Sequence, residues 1–204
     1  MKFLKKLFLF IISFPFLSRI WGKITKLEFP AVLIRKAIRI YASHYEIDMK
    51  NFEGKVVMVV NTATGCGFTP QYEPIEKMYE EFHDKGFEVI DVPCNQFANQ
   101  APGSDDEIHE FCTFKYKTQF PQMRKADVNG ENALPLFTFL KEQQSFKGKG
   151  KMKMLGLLSK AKGNDIRWNF TKFIIDRKGN VVARFEPTDK MESVKEYVET
   201  LLNK

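Results

Sequence analysis

Cys66 lies in the stretch Thr62-Ala63-Thr64-Gly65-Cys66-Gly67, one residue after the apolar run Val56–Val60. Such a run, rich in β-branched residues, reads as a strand buried on both faces. Thr69 and Pro70 then read as a helix entry, and Glu73, Glu76, Met78, Tyr79 and Phe82 continue the helix. The cysteine therefore belongs between a buried strand and a helix start. Unpaired N–H groups and the positive end of the helix dipole favour an anion there, and a thiolate is an anion. The flanking glycines permit a tight turn and leave the sulfur open to a substrate. Cys66 is thus a candidate nucleophile. The alternative is a small packed cysteine, the commonest role of an unpaired thiol.

The other chemistry-bearing residues are sparse. Cys94 and Cys112 complete a set of three cysteines, none spaced as CxxC, and the odd number argues against a disulfide scaffold. His109 and Cys112 share one face of a predicted helix, but two ligands do not make a metal site. Asn95 and Gln96 follow the short apolar strand Phe87–Pro93. They therefore emerge at a strand's carboxyl end, where sites form in open α/β sheets.

Charge is unevenly spread over the 204 residues, whose net charge is +7. Residues 1–50 carry ten Lys and Arg against three Asp and Glu, so the rest of the chain is balanced. That argues against a nucleic-acid groove in the body. Leu7–Leu17 is an apolar run behind Lys2, Lys5 and Lys6, too short to span a bilayer comfortably. It has the n-region and h-region of an export signal, but no small-x-small cleavage site follows. Residues 31–43 read as a second, largely apolar helix with Arg35, Lys36 and Arg39 as its polar part. Membrane-surface contact through residues 1–43, an export signal and a packed helical arm all remain open. The expected division is an apolar basic extension over 1–45 and a globular domain over 46–204, the protein being cytoplasmic or membrane-associated.

The elements that must position the candidates follow in order. Ser104 and Glu107 form a capping-box pattern for a helix to about Lys115, and a further helix runs from about Asn132 to Gln143. Residues 144–165 read as a lysine- and glycine-rich loop holding Lys147, Lys149, Lys151, Lys153, Lys160 and Lys162. It is either a solvated loop or a docking surface for an acidic partner or anionic lipid. Phe173–Asp176, the turn Arg177–Asn180 and Val181–Glu186 read as a hairpin, and Met191–Leu202 as a closing helix. The order predicts an α/β fold with a central mixed sheet flanked by helices.

Five stretches in register resemble the glutathione peroxidase family: NTATGCGFTPQY over 61–72, PCNQF over 93–97 with Gln100, Pro102 and Gly103, Phe120-Pro121, DVNG over 127–130, and Trp168-Asn169-Phe170 followed by Lys172-Phe173. The resemblance covers about residues 50–202. It implies a thioredoxin-like fold and reduction of hydrogen peroxide and organic or lipid hydroperoxides. It implies no cofactor, but a thiol co-substrate, thioredoxin or glutathione. Cys66 resembles the peroxidatic residue, and Gln96, Trp168 and Asn169 resemble its hydrogen-bonding partners. Cys112 resembles the resolving cysteine of thioredoxin-dependent members, and Cys94 reads as a packed structural cysteine. The lack of an obvious subunit-contact insertion favours a monomer and thioredoxin. A peroxide sensor that passes a disulfide to a partner protein uses the same residues and is the alternative. Against the family pattern, Gly65 replaces a larger residue, Ala98 and Ala101 replace glycine and glutamate, and Pro74 stands where glycine is common. The usual N-terminal hairpin reads as shortened or replaced by residues 31–50.

Overall fold

The computed structural model describes residues 39–41 and 46–204. It opens on an antiparallel hairpin of β1 (Arg39–Tyr41) and β2 (Glu46–Asp48), with Ile40 opposite Ile47. This corrects the helix expected over 31–43 at residues 39–41; the two three-residue strands fit the shortened form of the hairpin expected as shortened or replaced. Ile40, Tyr41 and Ile47 favour extended backbone, and pairing of the two strands outweighs the helical spacing of the basic residues. The boundary expected after residue 45 falls between β1 and β2. The remainder of the extension, with its membrane-surface expectation, lies outside the described residues.

The main sheet contains β3 (Val56–Thr62), β4 (Phe87–Pro93), β5 (Lys172–Ile175) and β6 (Val181–Phe185) in the order β4-β3-β5-β6. β3 runs parallel to β4, from Val56 beside Phe87 to Thr62 beside Pro93, and antiparallel to β5. Every residue of β3 and β4 is buried. Alternation explains the continuous apolar run: Val57 and Val59 enter one core, and Val56, Met58 and Val60 enter the other.

Helices cover both faces. α1 (Tyr72–Phe82) and α2 (Asp105–Tyr116) place Ile75, Phe82 and Ile108 in the second core, and α3 (Pro135–Gln143) places Leu136, Phe137 and Leu140 in the first. α2 begins at the expected capping box: the Ser104 hydroxyl accepts the Glu107 N–H, and the Glu107 carboxylate accepts the Ser104 N–H at 2.7 Å. α3 starts later than expected, at Pro135, whose missing N–H and fixed φ suit the first helical position.

The lysine-rich stretch contains α4 (Lys151–Leu158), where a continuous loop was expected. Lys, Met and Leu are strong helix formers. Met152, Leu155 and Gly156 supply a buried stripe. A Cβ on Gly156 would meet the Arg167 side chain at 2.7 Å, so the helix backbone lies close against it. α5 (Met191–Leu202) buries Val194, Val198 and Leu201 against the second core. The mixed sheet with helices on both faces is the thioredoxin-like arrangement expected.

Candidate active site

The Cys66 turn is held by its own backbone and by one hydroxyl. Thr69 Oγ1 accepts the Cys66 N–H at 3.0 Å and donates to the Ala63 carbonyl at 2.8 Å. The Thr69 N–H returns to the Cys66 carbonyl at 3.0 Å, opening a 3₁₀ turn over Thr69–Gln71 that leads into α1. The Phe68 N–H donates to Cys66 Sγ at 3.4 Å. The sulfur thus faces a backbone donor at the helix entry, as charge stabilisation requires. Cys66 is 6% exposed, between two exposed glycines.

Gln100 joins this turn to the second polar segment. Its carbonyl accepts the Gly65 N–H at 2.8 Å, and its side-chain Oε1 accepts Asn169 Nδ2 at 3.0 Å. A Cβ on Gly65 would stand 3.3 Å from the Gln100 carbonyl oxygen, which explains why a residue without a side chain fits before the cysteine. Asn169 is fully buried, and its Oδ1 has no partner among the described residues. An unpaired buried acceptor costs about 1–3 kcal/mol.

Gln96 stands elsewhere. Its Oε1 accepts the Val128 and Asn129 N–H groups at 2.8 and 3.0 Å, and its Nε2 donates to the Asn129 carbonyl at 2.9 Å. The side chain is spent on shaping the 128–129 turn, a structural task. The structure therefore pairs Gln100, and not Gln96, with Asn169. Both glutamines lie in the motif that ends β4. Only the path of the loop after β4, with Ala98 and Asn99 at φ of 53° and 52°, decides which reaches the site.

Trp168 is half-buried, its ring 5.9 Å from that of Phe97, and it packs against the core cluster that holds Cys66. Asn61, which sequence reasoning did not single out, fixes this segment from the end of β3. It donates to the Trp168 carbonyl at 3.3 Å and accepts the Thr171 N–H at 3.1 Å, and its own carbonyl accepts the Phe170 N–H at 2.6 Å. Phe170 is left at φ 67°, a conformation an aromatic residue holds only when its surroundings impose it. A polar residue inside an apolar strand was the available signal. Lys172 braces the same region, donating to Gln71 at 2.5 Å and to the Phe170 carbonyl at 2.8 Å. Burial pulls its pKa down to about 7, against the partial compensation of Asp189 and Glu186.

Cys112 is 1% exposed, on the inner face of α2. It belongs to a buried polar cluster around Asp91. Asp91 accepts from Thr62 at 2.5 Å, Tyr72 at 3.0 Å and Gln122 at 2.8 Å, and Gln122 Nε2 also donates to Cys112 Sγ at 3.3 Å. Burial raises Asp91 to about 6, an effect its three donors only partly offset. Burial and then the Asp91 charge push the Cys112 thiol up to about 12. Cys94 is packed in the first core and raised to about 11, chiefly by burial. All three cysteines are unpaired. Among the described residues, no group of three or more His, Cys, Asp or Glu side chains is placed to hold a metal.

The glutathione peroxidase family model matches residues 36–141. A glutathione peroxidase of Lactococcus lactis subsp. cremoris is 46% identical over 156 residues, covering 76% of this chain and 90% of its own. The glutathione peroxidase-like peroxiredoxin HYR1 of Saccharomyces cerevisiae is 47% identical over 150 residues, covering 74% of this chain and 84% of its own. The crystal structure of T. cruzi GPX1 superposes with a TM-score of 0.61 at 32% identity, over 81% of this chain and 94% of that one. The fold, the Cys66 turn and these relatives agree: this chain belongs to the glutathione peroxidase family.

Proposed function

We propose that this peroxidase reduces hydroperoxides at Cys66, with Gln100, Trp168 and Asn169 as the polar groups around the reacting atoms. The supporting observation is the hydrogen-bonded chain from Gly65 through Gln100 to the buried Asn169, which ties the cysteine turn to an unpaired acceptor. Cys66 thiolate attacks the distal peroxide oxygen, and the O–O bond breaks. The sulfur becomes a sulfenic acid, and the departing alkoxide or hydroxide takes a proton and leaves as alcohol or water. The Gln100 and Asn169 amides and the Trp168 indole N–H supply donors for the charge that develops on that oxygen. No histidine base is needed when the thiolate is already formed.

Cys112 is the proposed resolver. Its sulfur attacks the Cys66 sulfenic acid, a disulfide forms and water leaves, and an external dithiol then reopens the bond. A disulfide needs Cα atoms within about 7 Å, and the proposed route for the buried thiol is local unwinding of α2. The thiol reductant proposed is thioredoxin, with glutathione as the alternative. The test is turnover of hydrogen peroxide by wild type, Cys66→Ser and Cys112→Ser with a thioredoxin system and with glutathione in parallel. The expected result is thioredoxin-supported turnover that both substitutions abolish. Full glutathione-supported turnover by Cys112→Ser would replace the two-cysteine cycle with a one-cysteine one.

A further inference from the structure

The cluster around Asp91 takes no part in the chemistry above, yet it holds the Cys112 thiol. Asp91 is fully buried in β4. Its main chain fixes the segment after α2: the Pro121 carbonyl accepts the Asp91 N–H at 3.1 Å, and the Met123 N–H donates to the Asp91 carbonyl at 2.7 Å. Gln122, between these two bonds, shares one amide nitrogen between the Asp91 carboxylate at 2.8 Å and Cys112 Sγ at 3.3 Å. Its Oε1 is buried with no partner among the described residues. Thr62 from β3 and Tyr72 from α1 complete the donors to the carboxylate, and the Tyr72 hydroxyl also bonds Cys112. The partners of Cys112 therefore belong to the sheet and its neighbours, and stay behind when α2 moves.

We propose that Asp91 is a positioning residue for the resolving step: acting through Gln122 and Tyr72, it sets how firmly Cys112 is held in α2, and loss of its proton loosens that hold. The step served rests on the role proposed for Cys112; the hold itself does not. Ile108 and Cys112 are the buried residues of α2, so few contacts besides this cluster keep the helix in place. With α2 closed, no water reaches the carboxylate and a charge there is costly. Withdrawal of Cys112 uncovers the cluster from the α2 side and relieves that cost. A protonated Asp91 thus favours the closed helix, and an ionised one the open helix.

The direction of the effect follows from the raised Asp91 value of about 6, against an ordinary 3.8. Its contribution to closure is fully present below the ordinary value and is lost as pH rises through about 6. The other titratable groups facing Asp91 are Tyr72 on α1 and Cys112 and His109 on α2. Burial raises Tyr72 well above its ordinary value and pushes Cys112 up to about 12, so both stay protonated in the closed form. His109 is exposed, and its charge favours the carboxylate. In the resolving step the Cys112 sulfur bonds to the Cys66 sulfur, the S–O bond breaks, and the oxygen leaves as water with the thiol proton. Asp91 exchanges its own proton with solvent and enters none of these bonds.

The test begins with hydrogen exchange of the reduced full chain at about pH 5 and about pH 7.5, corrected for the intrinsic exchange rates. Protection of the α2 amides is expected to fall by about tenfold across this interval in wild type and to stay nearly constant in Asp91→Asn. Constant protection in wild type, or exchange of α2 and β3 through one common opening, overturns the proposal without recourse to the variant. His109→Gln is expected to keep the wild-type response; its loss there would move the control to His109 and also overturn it. The second measurement is the rate of disulfide formation after peroxide addition, read by acid quench and mass spectrometry where that rate no longer depends on peroxide concentration. Between the same pH values wild type is expected to gain about tenfold more than Asp91→Asn, the rest of the slope being the thiol's own ionisation, common to both. Equal slopes overturn the proposal. Absence of a Cys66–Cys112 disulfide while α2 still responds to pH overturns the role proposed for Cys112, and with it Asp91's place in the resolving step, and still supports the hold.

Discussion

Asn169 Nδ2 donates to Gln100 Oε1 at 3.0 Å, although the two residues are 69 apart in the chain. The same glutamine holds the residue before Cys66 through its backbone. Its side chain and its main chain thus serve two segments of one site.

Substitution of the two glutamines is expected to separate chemistry from stability. Gln100→Ala should lower kcat/KM for hydrogen peroxide by about a hundredfold, the effect of losing one oriented donor. Gln96→Ala should leave that rate nearly unchanged while costing about 1–3 kcal/mol, because its three hydrogen bonds serve the 128–129 turn. Stopped-flow kinetics and thermal melts of both variants decide the assignment; the opposite pattern would restore Gln96 to the site.

Cys112→Ser should still react once with peroxide. One equivalent is expected to leave a Cys66 sulfenic acid that dimedone traps, whereas wild type should pass quickly to a disulfide. Mass spectrometry after a single addition reads both products. A Cys66–Cys94 disulfide in the variant would move the resolving role to the other buried thiol.

Asp91 makes stability depend on pH in a definite direction. Its folded pKa, about 6, lies above the unfolded 3.8 because burial disfavours the charge. The folded chain therefore holds this proton more tightly. The resulting contribution is fully present below the unfolded value and is lost as pH rises through about 6. Relative to Asp91→Asn, wild type should gain roughly 2 kcal/mol between about pH 7.5 and pH 4.5. Urea denaturation of both proteins at the two pH values measures this difference, and a difference of the opposite sign would show that the buried carboxylate is stabilised as the anion.

Ala98 sits at φ 53° on an exposed loop between β4 and α2. A Cβ there costs about 1 kcal/mol against glycine. Ala98→Gly should therefore raise stability by roughly that amount without changing peroxide turnover, and a melt of the variant checks it.

Much of this architecture was legible in the sequence because local chemistry and global packing agree. The continuous burial of Val56–Val60, the Ser104–Glu107 capping box and the apolar face of Met191–Leu202 each required no distant partner to read. Cys66 was found for the same reason, since its turn and helix entry are contiguous. The pairing of Gln100 with Asn169 was not legible because the choice between two glutamines four residues apart depends on two left-handed residues between them. α4 was missed because its lysines masked a buried stripe whose partner, Arg167, lies beyond the helix. The Asp91 cluster joins β3, β4, α1, α2 and the segment after α2, so no window of sequence displays it.

Only Ile108 and Cys112 of the twelve residues in α2 are buried, while all seven residues of β3 are. Cys66 therefore follows the strand whose amides are expected to exchange last, and Cys112 rides on a helix expected to open at a smaller free-energy cost. In native-state hydrogen exchange, α2 should open as its own unit, well before the sheet, and if Cys112 is the resolver the rate of that opening sets a ceiling on how fast the two sulfurs can meet.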